Sequence, residues 1–206
     1  SWRQDIRLIA SWHTNVHQFA ARRIARRIGA MPGGNYIASA AEDQILRGLM
    51  LFHKIPKMTL APNIELVDLL ANKTGRDARL MERGVDTELF DPKRRTVNDN
   101  IFRIGFVGRL RAEKNVMALV DIENKLIEAN VSNYRFLIVG EGNERHMLER
   151  KLKRAEFTGF LSGKQLAEAY ANMDVFVFPS ETDSFGNVAR EANASGVPSI
   201  VTSKGG

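Results

Sequence analysis

The sequence contains no cysteine among its 206 residues. That removes disulfide scaffolds, zinc fingers, iron–sulfur sites and thiol nucleophiles together, and it suits a reducing compartment. No apolar run approaches the roughly 18 residues that a helix needs to cross a bilayer. No basic segment followed by a long apolar stretch heads the chain, so no signal peptide is read there. No Gly-x-Gly-x-x-Gly follows a strand pattern, which leaves a nicotinamide dehydrogenase without its fingerprint. The 16 glycines have no period, which excludes a collagen-like chain. Internal repeats and low-complexity segments are absent as well.

What is present describes a globular α/β protein. Apolar residues make up 44% and charged residues 26%, enough for a core and too ordered a balance for disorder. The length suits one large domain or two small ones. The formal charge of +6 is unevenly placed. Residues 1–40 hold six arginines (Arg3, Arg7, Arg22, Arg23, Arg26 and Arg27) against one acid, Asp5, so about +5 of the charge lies there. The chain opens without methionine and closes on a glycine-rich stretch after a strand-like run. We expect it to be a piece of a longer protein.

Strand and helix patterns alternate from residue 101 onward. Apolar runs at 101–107, 135–139 and 175–178 read as strands, with a short one at 156–158 and another at 199–201. Helices are expected over 115–129, 143–153 and 186–195, and Ser162 with Gln165 forms a capping box that starts a further one. Continuous apolar strands separated by helices imply a parallel sheet covered on both faces. The first half repeats this more loosely: strands at 6–10, 58–61 and 78–81, a basic helix at 16–28, a helix at 40–52, and one capped by Asn63. The polar stretch 91–100 is expected to be the linker. This gives two parts, 1–95 and 96–206.

Ligands of open α/β sheets bind beyond the carboxyl ends of the strands. Gly108-Arg109, Gly140-Glu141-Gly142 and the stretch from Pro179 to Gly186 all fall at such ends. Arg109 and Lys114 beside outward-pointing backbone N–H groups suit a diphosphate, or are solvated surface charges. Asp183 and Glu191 stand eight apart, one before a helix and one two turns along it. Such carboxylates accept hydroxyl hydrogen bonds from a ribose or hexose; alternatively Asp183 caps the helix and Glu191 is exposed. Val188, Ala192 and Ser195 around Glu191 point instead to a packed face.

The ordered set Val107-Gly-Arg-Leu-x-x-Glu-Lys114, Val139-Gly-Glu-Gly142, Phe157-Thr-Gly-Phe160, Tyr170-Ala-Asn-Met-Asp174-Val-Phe-Val-Phe-Pro-Ser180 and Asp183-Ser-Phe-Gly-Asn-Val-x-x-Glu191 resembles family 4 of the retaining glycosyltransferases. In the first half, Trp12-His13-Thr14-Asn15 and Arg83-Gly-Val-Asp86-Thr-x-Leu-Phe90 are similar to that family's acceptor-domain and hinge segments. The resemblance implies a GT-B fold of two Rossmann-like parallel-sheet domains, both incomplete here. Residues 1–95 would be the C-terminal part of the acceptor-side domain with the hinge, and 96–206 a donor-binding domain truncated at its C-terminus. It also implies that Arg109 and Lys114 hold the donor's diphosphate and that Glu191 holds the ribose. Asp183 stands where the family has the glutamate that touches the transferred sugar, one methylene shorter. Gly108, Ser184, Phe185 and Gly186 match the loops meeting sugar and phosphate. Gly159 and Phe160 match the base region, and His13 matches a histidine contacting the sugar near the reaction centre.

The implied reaction moves a sugar, with retention, from a nucleotide-diphospho-sugar such as a UDP- or GDP-sugar to a hydroxyl of a lipid or glycan. It uses no metal and no further cofactor. The runner-up is a non-catalytic nucleotide-sugar-binding or membrane-associated module. Helix 17–28 can lie on an anionic membrane surface, hold a phosphorylated acceptor, or be a solvated face. Its apolar stripe is expected at Phe19 or Ala20, Ile24 and Ile28. Nucleic acid is not expected, because no interleaved aromatics or reader motif accompany the arginines. A cytoplasmic location, at the inner face of the membrane if that contact is made, completes the expectation, and the piece itself is expected to be inactive.

Overall fold

The structure, a computed structural model, describes residues 7–13, 15–28, 34–180, 183 and 185–202, without the side chains of residues 18, 19, 22, 26–28 and 35. The chain divides into two compact units, Ser1–Arg83 and Gly84–Gly206. Among the described residues, no helix is long and apolar enough to cross a membrane.

The first unit runs β1 (Ile9–Ser11), α1 (Val16–Ile28), α2 (Gly34–His53), β2 (Met58–Ala61), α3 (Ile64–Thr74) and β3 (Asp77–Leu80). Its three strands are parallel, in the order β1-β2-β3. Asn63 caps α3 as expected: its side chain accepts from the Leu66 N–H at 3.0 Å, satisfying one of the donors a helix start leaves free. Trp12, Met50, Ala61, Leu66 and Leu70 form a small core. The inward face of α1 includes the described members of the expected stripe, Ala20 and Ile24, and adds His17 and Ala21. His17 and Ala21 are buried, and Ala20, Ile24 and Ala25 half-buried, while the side chains of Phe19 and Ile28 lie outside the described residues. Trp12 draws His17 inward, the rings meeting edge to face at 5.8 Å, and stacks on His53 at 5.1 Å.

The second unit continues with β4 (Phe102–Val107), α4 (Ala118–Glu128), β5 (Tyr134–Val139), α5 (Arg145–Lys151), β6 (Ala155–Gly159), α6 (Gly163–Ala171), β7 (Val175–Phe178), α7 (Asn187–Ala194) and β8 (Ser199–Val201). The sheet has five strands in the order β6-β5-β4-β7-β8, every pair parallel. Its three inner strands, β5, β4 and β7, are buried on both faces because they carry apolar residues at successive positions. Phe106, Phe136, Ile138 and Phe176 are fully enclosed, whereas the edge strands β6 and β8 are more open. Ser162 does precede α6, but its side chain makes no capping hydrogen bond, so the expected box is a boundary signal without its reciprocal bonds.

The packing also breaks earlier than the polar stretch 91–100. Val85, Leu89 and Phe90 already lie in or against the second core. The next residues are tied down as well. Arg95 donates to the Ala171 and Met173 carbonyls at 3.2 and 3.0 Å and pairs with Asp174 at 2.9 Å. Thr96 N–H donates to Asn172 Oδ1 at 2.9 Å. The polarity that reads as linker is thus the chemistry of an anchored strap that caps the last turn of α6.

Candidate active site

A crevice opens in a parallel sheet where the winding reverses, outside the carboxyl ends of the two strands concerned. From β4 the chain winds outward to β5 and β6, then returns to place β7 on the other side of β4. The reversal therefore lies between β4 and β7. The segment after β4 carries Gly108, Arg109 and Lys114, and the segment after β7 carries Ser180 and Asp183.

Lys114 closes a single 3-10 turn, Ala112–Lys114, that ends on Asn115 in the left-handed region at φ 50°. Its Nζ reaches across the crevice to Asp183 Oδ2 at 2.9 Å, and it lies 5.2 Å from the centre of the Phe178 ring. The side chains are only 13% and 23% exposed, so solvent screens this pair less than a surface ion pair. The second carboxylate oxygen, Asp183 Oδ1, accepts from the N–H groups of Phe185 and Gly186 at 3.3 and 3.2 Å. Burial opposes ionisation of Asp183. The Lys114 hydrogen bond and charge, with the Gly186 and Phe185 donors, outweigh it and hold the carboxyl below its ordinary range. Gly186 then turns the chain into α7 at φ 61°, a conformation that costs glycine least.

Glu191 lies along α7 on a packed face: Ala192 and Ser195 are buried beside it. The Tyr170 hydroxyl, from α6, donates to Glu191 Oε2 at 2.8 Å. Burial raises the Glu191 pKa, and the Tyr170 hydrogen bond opposes that rise. Burial and the neighbouring Glu191 charge push the Tyr170 phenol well above its ordinary value, so it remains a proton donor.

Arg109 is exposed at the same rim. Gly140 and Gly142 follow β5, but they face backbone. A Cβ on Gly140 would stand 2.0 Å from the Gly108 carbonyl oxygen, and one on Gly142 2.1 Å from that of Leu110. Gly108 N–H donates to Val139 O at 3.0 Å, Leu110 N–H to Glu141 O at 2.9 Å and Glu144 N–H to Leu110 O at 3.0 Å, so the loops after β4 and β5 are sewn together. Gly159 ends β6 at φ 77° beside the Glu141–Arg145 ion pair, and Phe160 after it is 77% exposed, an open apolar ring at the rim. Ser184 lies outside the described residues.

His13 belongs to the first unit, just past the carboxyl end of β1. Its Nδ1 lies 3.4 Å from an Arg83 guanidinium nitrogen, which can only donate, and its Nε2 lies 2.6 Å from Ser11 Oγ.

Lys114, Asp183, Phe185 and Gly186 thus meet at one point. Sequence reasoning singled out neither Tyr170 as the partner of Glu191 nor Phe178 as the ring beneath Lys114. A signal for the first exists: a tyrosine at a core-facing helical position needs a partner for its hydroxyl.

The architecture is that of the GT-B glycosyltransferases, of which the chain covers part. A sucrose-phosphate synthase from Thermosynechococcus elongatus matches all of the chain with a TM-score of 0.71, at 19% identity and over 53% of its own length. The profile of Glycosyl transferases group 1 matches residues 101–206, and the chain belongs to that family. A GDP-mannose-dependent alpha-mannosyltransferase from Corynebacterium glutamicum is 36% identical over 75% of the chain and 38% of its own length. A sulfoquinovosyl transferase from Arabidopsis thaliana is 30% identical over 98% of the chain and 39% of its own length. The chain therefore spans about two fifths of these relatives.

Proposed function

We propose that the protein containing this chain transfers a sugar from a UDP- or GDP-sugar to a hydroxyl of a lipid or glycan acceptor, with retention and without a metal ion. The observation that carries the proposal is the Lys114–Asp183 pair spanning the β4/β7 crevice, in a member of a family whose relatives include a GDP-mannose-dependent enzyme. Lys114 and Arg109 supply the positive charge for the donor's diphosphate, and the start of α7 supplies backbone N–H groups. Glu191 accepts from the ribose hydroxyls. Phe160 and Gly159 border the base. Asp183, Phe185, Gly186 and Ser184 form the loop beside phosphate and sugar. The bond from the anomeric carbon to the leaving phosphate oxygen breaks, and the acceptor oxygen bonds to that carbon on the same face. The acceptor's proton passes to the leaving phosphate, so no separate strong base is needed.

On this reading the first unit, up to Arg83, belongs to the acceptor side, and the second, from Gly84 and including the strap at 91–100, to the donor side. The test is a panel of UDP- and GDP-sugars offered to the whole enzyme, scored by thermal stabilisation and nucleotide release. Stabilisation and turnover with one of them support the reading; neither with any of them removes it. Because two cations replace the metal as counter-charge, turnover is expected to be unchanged in excess EDTA. A loss restored by a divalent ion would reject metal independence.

The acceptor side supports a membrane contact at the cytoplasmic face. Helix α1 exposes Arg23 and belongs to the arginine-rich first 40 residues. Cosedimentation with phosphatidylglycerol vesicles is expected, falling with salt and lost on Arg23→Glu combined with Arg22→Glu, whereas neutral phosphatidylcholine vesicles should not bind. Equal binding to both would reject it.

A further inference from the structure

We propose that Tyr170 is a positioning residue of the donor site: it holds one carboxylate oxygen of Glu191 so that the other is presented to the nucleotide ribose. This rests on the role given to Glu191 above.

A free glutamate side chain has three rotatable bonds, and fixing them on binding weakens affinity. Here the fixing precedes the ligand. Tyr170 is fully buried, with its ring edge to face against Phe90 and Phe176, both at 5.7 Å. The hydroxyl therefore stands at a set place, and it meets Glu191 Oε2 at 2.8 Å. Oε1 carries no such phenol contact. Ser195, one helical turn further along the same face of α7, does not hold it: its Oγ is buried and without a partner among the described residues. An ionised carboxylate can only accept, and with Oε2 engaged by the phenol the Oε1 lone pairs are the ones left to meet ribose hydroxyls. The tyrosine supplies the proton in its bond, which leaves Oε1 to accept from the sugar hydroxyls. All of these groups lie within the second unit.

The experiment measures GDP and UDP, and their 2′,3′-dideoxy forms, by titration calorimetry against the full chain. Tyr170→Phe keeps the ring and removes only the hydroxyl. It is expected to weaken the better-bound ribonucleotide about tenfold, the scale of one hydrogen bond to a charged group, and to leave its dideoxy form unchanged. Tyr170→Met, a second variant without the hydroxyl, should give the same split should the first fail to fold. Equal weakening of both ligands would mean a merely structural tyrosine and overturn the proposal, as would no weakening. In the double variant with Glu191→Gln, loss of the hydroxyl should add nothing to the single Glu191→Gln effect. The two failures differ visibly. If Glu191→Gln leaves ribonucleotide affinity intact, or if neither nucleotide binds, the donor-site reading falls and this proposal with it. If Glu191→Gln weakens binding but Tyr170→Phe does not, only the proposal falls.

Discussion

Replacing Lys114 by alanine should lower sugar transfer by the whole enzyme about 10²- to 10³-fold, read as nucleoside diphosphate released per enzyme. Charge grows on the diphosphate as it leaves the anomeric carbon, and a lysine only 13% exposed stabilises that charge more than a surface one would. The expected loss is larger than the loss in donor affinity, because the ground state carries less charge at the breaking bond. The change also strips Asp183 of its partner at 2.9 Å. Its carboxyl should then titrate higher, since burial alone pushes it that way. Folding is the control: Asp183→Asn also breaks the pair but leaves the ammonium, so it should cost less in turnover than Lys114→Ala. Wild-type turnover in Lys114→Ala would remove Lys114 from the reaction.

The second large effect concerns folding. Gly140→Ala should destabilise the second unit by about 4 kcal/mol, the sum of an overpacked contact and a backbone region closed to L side chains. The added carbon would stand 2.0 Å from the Gly108 carbonyl oxygen, backbone that cannot swing away as a side chain end could. The residue's φ of 132° adds strain of its own. Thermal unfolding should show a midpoint lowered by roughly 10 °C, by the usual scaling of midpoint with stability. Gly84→Ala is the matched control: a Cβ there meets nothing within 4 Å. An unchanged midpoint for Gly140→Ala would contradict the described register of the two loops.

How much of this could be read from residues alone depends on the element. β5 was legible from the run read at 135–139, because Phe136 to Val139 are four apolar residues in succession that a sheet covered on both faces buries, and all four are buried; the strand itself starts one residue earlier, at Tyr134. The start of α2 was not. The helix begins at Gly34, not near residue 40, and the large apolar residues of its first turns, Tyr36 and Ile37, stand exposed side by side, so they add no buried apolar period. The strap at 91–100 misled for a related reason: Asp91, Arg95, Thr96 and Asp99 look solvated, yet Arg95 and Thr96 find partners in α6 and just beyond it, some 76 residues away. Long-range partners of polar groups leave no local trace. The same holds at the site. Glu191 could be placed on a packed face from its small neighbours, but its tyrosine lies 21 residues upstream. Asp183 was legible as a loop carboxylate at a helix start; that Lys114 takes one oxygen and the backbone the other follows only from three-dimensional proximity.

The sewn loops after β4 and β5 also carry a thermodynamic signature. Their backbone freedom is surrendered when the domain folds, through the bonds from Gly108, Leu110 and Glu144. A nucleotide arriving at this rim finds the loops after β4 and β5 already ordered. Calorimetry of its binding should therefore show a heat-capacity change close to that of the ligand's own buried surface, without the added contribution that a segment folding around its ligand brings.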